Sequence, residues 1–326
     1  MIDRQTGEGK TLDQIPFSDI YLTPEKVAYI RDGESRWGLK TITPIDLKEF
    51  HKALQEAYSK NSSYSLFYKG SIYRVERIVT LTGIHYSARR MPQKTPDIRK
   101  LGFPEYLTNY LISLKNESGL ILFGGPTGMG KTTTASSLLK KYLEDEGGFA
   151  YTIEDPPEMP LDGVYRSRQG GLGLCKQTEP IDNQWGEALQ SALRSRPRYI
   201  LVGEIRTPDT AGQVLRAAIS GHLVLSTIHA NSVEDSLNSL IKYAIASGLN
   251  DELAYDLLAR GILGAVYQRL EGTKTLHPEL LFAFANPNPM NGDQMRSIIR
   301  DGQINLNTLI ESQQERLFLS KQLFRS

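Results

Sequence analysis

The chain has 326 residues, with 38 Lys and Arg against 37 Asp and Glu, and a single cysteine, Cys175. That length predicts two domains, and the near-neutral balance gives no bulk attraction to nucleic acid. One cysteine excludes an internal disulfide and any multi-cysteine zinc site, so Cys175 is expected to be a bystander in a reducing compartment. The polar start MIDRQTGEGK and the lack of any apolar run approaching ~20 residues predict a cytoplasmic protein that meets a membrane only through partners.

In chain order, DIYLT and VAYIRD carry strand signals, PIDLKEFHKALQEAY reads as a helix, and YSLFYKGSIYRVERIVTLTGIHYSARRMP is rich in strand formers. Residues 1–92 are therefore expected to form a small α+β domain. Pro92, Pro96 and Pro104 make poor helix or inner strand, which places a linker at 93–103. From 104 to 326 the pattern changes to apolar strands, GLILFGG, FAYTIED, RYILVGE and HLVLSTIH, separated by helical stretches. Strands that are apolar almost throughout suit a parallel sheet covered on both faces, so an α/β fold is expected here. From about 235 the chain reads as helical, with SVEDSLNSLIKYAIASG and DELAYDLLARGILGAVYQRL as helices and ELLFAFANP as a strand between later segments.

The stretch GGPTGMGKTTT, residues 124–134, lies between a strand signal and a helix signal. Its spacing is that of a phosphate-binding P-loop: glycines for close backbone approach, a lysine for the β and γ phosphates, and a hydroxyl for Mg²⁺. The residues expected to hold ATP are Gly125, Pro126, Thr127, Gly128, Met129, Gly130, Lys131, Thr132 and Thr133. Hydrolysis needs a water positioned at the γ phosphate, and an acid at a neighbouring strand end is the usual supplier. Glu204, which follows the apolar run YILV and Gly203, is expected to be that base. Glu154 and Asp155 end another strand and can hold Mg²⁺ through water; on their own they read equally as a solvated acidic turn. Thr132, Glu154, Asp155 and Glu204 make up the expected metal set. His222 and His229 flank a strand, and either can contact phosphate or serve as a structural histidine.

The segments GPTGMGKTT, TIEDPPE, LVGEIR and SGHLVLSTIHANS resemble, in order and spacing, the Walker A, Asp box, Walker B and His box of the type II and type IV secretion ATPases. The nearest likeness is to the PilT-type and DotB-like branches, with the GspE and PulE proteins as more distant relatives, and it extends from about residue 20 to 300. The resemblance implies a RecA-like P-loop core with a parallel-dominated sheet, preceded by a small α+β, PAS-like domain. It implies ATP and Mg²⁺ as cofactors, a homohexamer, and a motor for a pilus, secretion or conjugation machine peripheral to the cytoplasmic face of the inner membrane. Inner-membrane platform or secretion-channel proteins would be its partners. It makes Glu204 the catalytic glutamate, adds Lys131, Glu154 and His229 to the site, and brings an arginine of the first domain, Arg74 or Arg89, to the nucleotide. The chain departs from the pattern at Arg196-Pro197-Arg198 and Thr207, where the family often has acids. The other readings are a P-loop kinase, which leaves the His box unexplained, a non-hydrolysing scaffold, which has no need of Glu204, and a DNA translocase, which the charge does not favour.

Overall fold

The computed structural model describes residues 8–32, 38–58, 62–181, 184–271, 277–288, 292–319 and 321–324. The chain divides into two units, Met1–Lys94 with Glu158–Pro160, and Thr95–Pro157 with Leu161–Ser326.

In the first unit β1 (Asp19–Leu22), β2 (Ala28–Arg31), β3 (Lys40–Ile42), β4 (Ser63–Tyr68), β5 (Ser71–Thr80) and β6 (Gly83–Arg90) form one antiparallel sheet. Its order is β3-β2-β1-β6-β5-β4. Helix α1 (Leu47–Glu56) buries Phe50 and Leu54 in the core that also holds Tyr64, Tyr73 and Val75. The Phe50 ring meets Tyr73 and Tyr68 at 5.0 and 5.1 Å between centroids, tilted and edge-on, the favoured aromatic geometries. Asp46 stands buried at the start of α1 and accepts from the Leu12 N–H and from Lys69, both at 2.9 Å. Burial pushes its carboxyl up, but the bonds from Lys69, Leu12 and Tyr68 outweigh that and leave it below the usual aspartate value.

Period two sorts the arginines of β5 and β6. Tyr73 and Val75 face the core, which turns Arg74 and Glu76 to the other face. Arg77 leaves that face and stacks on Tyr58 at 4.6 Å, while Arg90 covers the Phe17 ring at 3.7 Å and donates to the Ile15 carbonyl. Both are structural cations.

The second unit opens with a buried Ile98 in a short 3-10 turn inside the stretch read as linker, then α2 (Glu105–Ser113). Strands and helices then run β7 (Gly119–Gly124), α3 (Lys131–Asp145), β8 (Gly148–Ile153), β9 (Gly163–Arg166), β10 (Leu172–Thr178), α4 (Trp185–Arg194), β11 (Tyr199–Val202), α5 (Pro208–Ala218) and β12 (Leu223–Ile228). After them come α6 (Val233–Ala246), α7 (Asp251–Gly261), β13 (Ile262–Glu271), β14 (His277–Phe284), α8 (Gln294–Arg300) and α9 (Asn307–Phe318). The sheet order is β14-β13-β7-β12-β11-β8-β10-β9, parallel from β13 through β10 with an antiparallel strand at each edge. Every residue of β7, β11 and β12 is buried, as their largely apolar sequences predict for strands covered on both faces. The α/β expectation with a parallel-dominated sheet is met.

One element differs. The run DELAYDLLARGILGAVYQRL, read as one helix, is helical only to Gly261, and its second half is β13. An apolar run without alternation fits a buried parallel strand as well as a buried helix, and pairing with β7 decides between them. A Cβ on Gly264 would come within 2.2 Å of the Phe284 ring on β14, so the glycine in this run serves strand packing.

Candidate functional site

The register of the parallel strands brings four chain segments to one edge. Val202 pairs with Ile153 on one side and with Ser226 on the other, and Ile228 pairs with Gly124. Across β7, β12, β11 and β8 the P-loop, His229, Glu204 and Glu154 therefore leave the sheet side by side at the strands' carboxyl ends, where open parallel sheets bind ligands.

Gly125, Gly128 and Gly130 have φ of +149°, +76° and +78°, conformations closed to most other residues. A Cβ on Gly125 would also lie 2.3 Å from the carbonyl oxygen of Gln268. Gly130 precedes α3, and the N-terminal turn of that helix, Lys131, Thr132 and Thr133, together with the helix dipole forms an anion site. Lys131 is only 7% exposed, and its ammonium lies within the loop, donating to the Gly125 and Pro126 carbonyls at 2.8 and 2.9 Å. Thr127 and Gly128 form the exposed tip, with Pro126 and Met129 half-buried beside them.

Glu204 extends beyond β11 with one carboxylate oxygen 2.7 Å from His229 Nε2 and the other paired with Arg206. The His229 ring lies 3.4 Å from the Thr127 hydroxyl, so a polar chain runs from the loop tip through histidine to carboxylate. Glu154, 1% exposed, accepts from Gln177 Nε2 at 2.8 Å and packs over Gly203, where an added Cβ would meet its Cγ at 3.1 Å. Asp155 beside it is exposed. The acids and Thr132 offer only oxygen donors, the set that suits Mg²⁺, and among the described residues no three His, Cys, Asp or Glu side chains gather into an all-protein metal cage.

His222 is not part of this cluster. It precedes β12, at the opposite end from His229, with Nδ1 2.6 Å from the Pro197 carbonyl, a structural setting. Thr207 accepts from the Thr210 N–H as the cap of α5. Cys175 is buried on β10, and burial pushes its thiol far above the ordinary value, as befits a bystander.

In the first unit Arg74 and Arg89 face each other across β5 and β6, lining a shallow pocket with Asp19, Glu76 and Ser87. Arg89 Nε donates to Asp19 at 2.9 Å. Burial raises the Asp19 carboxyl, but the Arg89 and Ser18 bonds and the Arg89 and Arg31 charges bring it below the ordinary value. Two residues of the second unit's site escape the sequence reading, Gln177 and Gln268. The Gln268 amide donates to the Met129 carbonyl at 2.5 Å. Its signal is a lone amide in the apolar run GAVYQRL, hidden once that run is taken for helix.

The type II/IV secretion system protein family matches residues 66–286, more than half of the chain. The chain belongs to that family. The type IV pilus assembly ATPase TfpB of Acinetobacter baylyi is 38% identical over 172 residues, 52% of this chain and 26% of that protein. The uncharacterized protein YggR of Escherichia coli is 30% identical over 249 residues, 72% of each. The crystal structure of the pilus retraction motor PilT with bound ADP superposes with a TM-score of 0.68 at 26% identity, covering 94% of this chain and 87% of that one. The match to the first curated relatives spans 26%, 33% and 38% of their own lengths. The family's fold, a small N-terminal domain followed by a RecA-like core, is the fold of this chain. Among the described residues no helix is long and apolar enough to cross a membrane.

Proposed function

We propose that this family member is an ATPase, converting ATP and water to ADP and phosphate, and that its homohexamer drives a type IV pilus or a type IV secretion or conjugation machine from the cytoplasmic face of the inner membrane. The observation that carries the reading is the single sheet edge that holds a P-loop with its lysine inside and, two strands away, Glu204 with a carboxylate oxygen 2.7 Å from His229 Nε2. In this reading the loop N–H groups and Lys131 bind the polyphosphate, and Thr132 would hold Mg²⁺ directly, with Glu154, Asp155 and Glu204 reaching it through water. The bound ion would neutralise charge on the β and γ phosphates. Glu204 orients and deprotonates the attacking water, and His229 ties that carboxylate to the Thr127 tip of the loop.

Phosphate release and light scattering on the full chain with ATP and Mg²⁺ test the proposal together. A nucleotide-sensitive species of six protomers that releases phosphate is expected. A strict monomer with full specific activity overturns the ring.

The negative charge that grows on the γ phosphate needs a cation beyond Lys131, and a guanidinium suits it because it stays charged and binds phosphate in two places. The proposed source is the Arg74 and Arg89 pair. Arg89 is committed to Asp19, whereas Arg74 has no ion-pair partner among the described residues, which makes Arg74 the activating group and Arg89 its neighbour. For Arg74→Ala, kcat is expected to fall at least about tenfold with KM little changed, and for Arg89→Ala less. Normal kcat in both variants moves the activating cation to Arg194 or Arg206 of the core.

A further inference from the structure

Gln268 lies on β13 with 1% of its surface exposed. Its side-chain amide donates to the Met129 carbonyl at 2.5 Å, and its side-chain oxygen is buried with no hydrogen-bond partner among the described residues. Its backbone carbonyl stands against Gly125, and two residues on, the Leu270 N–H lies 3.3 Å from Met129 Sδ. Strand β13 thus grips the phosphate loop at both ends of its glycine run. A buried amide with one unmatched atom is a worse core residue than an apolar side chain of the same volume, so packing alone does not account for it.

The bond to Met129 does. In a trans peptide the C=O and the following N–H point in opposite directions. Holding the Met129 carbonyl toward β13 therefore turns the Gly130 N–H away from β13 and starts α3 from a left-handed Gly130, φ +78°. The geometry points to Gln268 as a positioning residue for the phosphate loop, one that presets the Gly130 N–H and the first turn of α3 for the polyphosphate of a nucleoside di- or triphosphate. Gln268 reaches the phosphates only through the Met129 peptide. This inference rests on the nucleotide-binding reading above.

Gln268→Met keeps length and volume and removes the donor; Gln268→Glu keeps the shape and sets a carboxylate against the Met129 carbonyl. Full-length wild type and both variants are titrated with a fluorescent N-methylanthraniloyl ADP and Mg²⁺, and ATP turnover and thermal unfolding are measured alongside. For Gln268→Met, affinity is expected to weaken about tenfold, one hydrogen bond's worth of preorganisation, with KM for ATP rising in parallel, kcat within about threefold, and the unfolding midpoint unchanged or higher. Gln268→Glu is expected to weaken binding further. A folded Gln268→Met that binds as wild type does overturns the inference and leaves nucleotide binding intact. If Gln268→Met fails to fold, Gln268→Glu carries the same test, and failure of both to fold assigns Gln268 to the core and overturns the inference. A wild type that binds no nucleotide overturns both this inference and the reading beneath it.

Discussion

Glu204→Gln is expected to bind ATP as the wild type does and to turn it over at least about a hundredfold more slowly. The substitution keeps the side chain's shape and leaves the loop, Lys131 and the first turn of α3 untouched, so the contacts that hold a polyphosphate persist. What disappears is the charge that makes the group a base. Glu204 now has one oxygen 2.7 Å from His229 Nε2 and the other paired with Arg206. An amide in its place carries no negative charge and takes no proton from water. Nucleotide affinity by fluorescence and phosphate release under saturating ATP separate the two effects. Equal turnover in wild type and variant would remove Glu204 from the role assigned to it.

Lys131→Ala is expected to fail earlier, at binding. The ammonium is buried within the loop and donates to two of its carbonyls, at 2.8 and 2.9 Å. Removing it deletes the cation that would face the β and γ phosphates and leaves both carbonyls without that donor. A charge-assisted hydrogen bond contributes about 1.5–3 kcal/mol, so affinity should drop roughly tenfold to a hundredfold for that bond alone. Turnover should be lost with it. Titration with ADP and with ATP, under conditions where thermal unfolding shows the variant folded, checks this. A variant with wild-type affinity would mean that the backbone N–H groups alone hold the phosphates.

Most of the second unit's site is legible in the sequence because its parts are local. The P-loop spacing from Gly125 to Thr132 states a backbone path and a helix start in eight consecutive residues. The runs YILV and LVLSTI carry their burial in composition, so the residues that follow them fall at the sheet edge. The same logic fails for His222, which shares a motif with His229 but sits at the other end of a six-residue strand. It fails as well for GILGAVYQRL, whose apolar residues fit two periodicities until β7 is beside it. Gln177 and Gln268 are invisible for a related reason. Each reaches the site through a contact with a residue far along the chain, Glu154 for one and the Met129 carbonyl for the other, and a lone amide announces no partner. In the first unit, alternation on β5 turns Arg74 away from Arg77, but the cross-strand partner Asp19 that holds Arg89 lies 70 residues earlier and leaves no local trace.

The sheet order has a consequence for the chain as it is made. β7 emerges first and β11 much later, yet they are not neighbours, because the place between them belongs to β12, which comes after both. The nascent molecule must keep that slot open until residue 228 has left the ribosome, and only then does the loop after β7 stand a strand's width from His229 and face Glu204. Long-range parallel pairing of this kind is slow to form. A half-folded chain can present the loop after β7 while Glu204 remains out of its reach. On the proposed function, turnover of ATP would thus report that the strand between β7 and β11 has been laid in place.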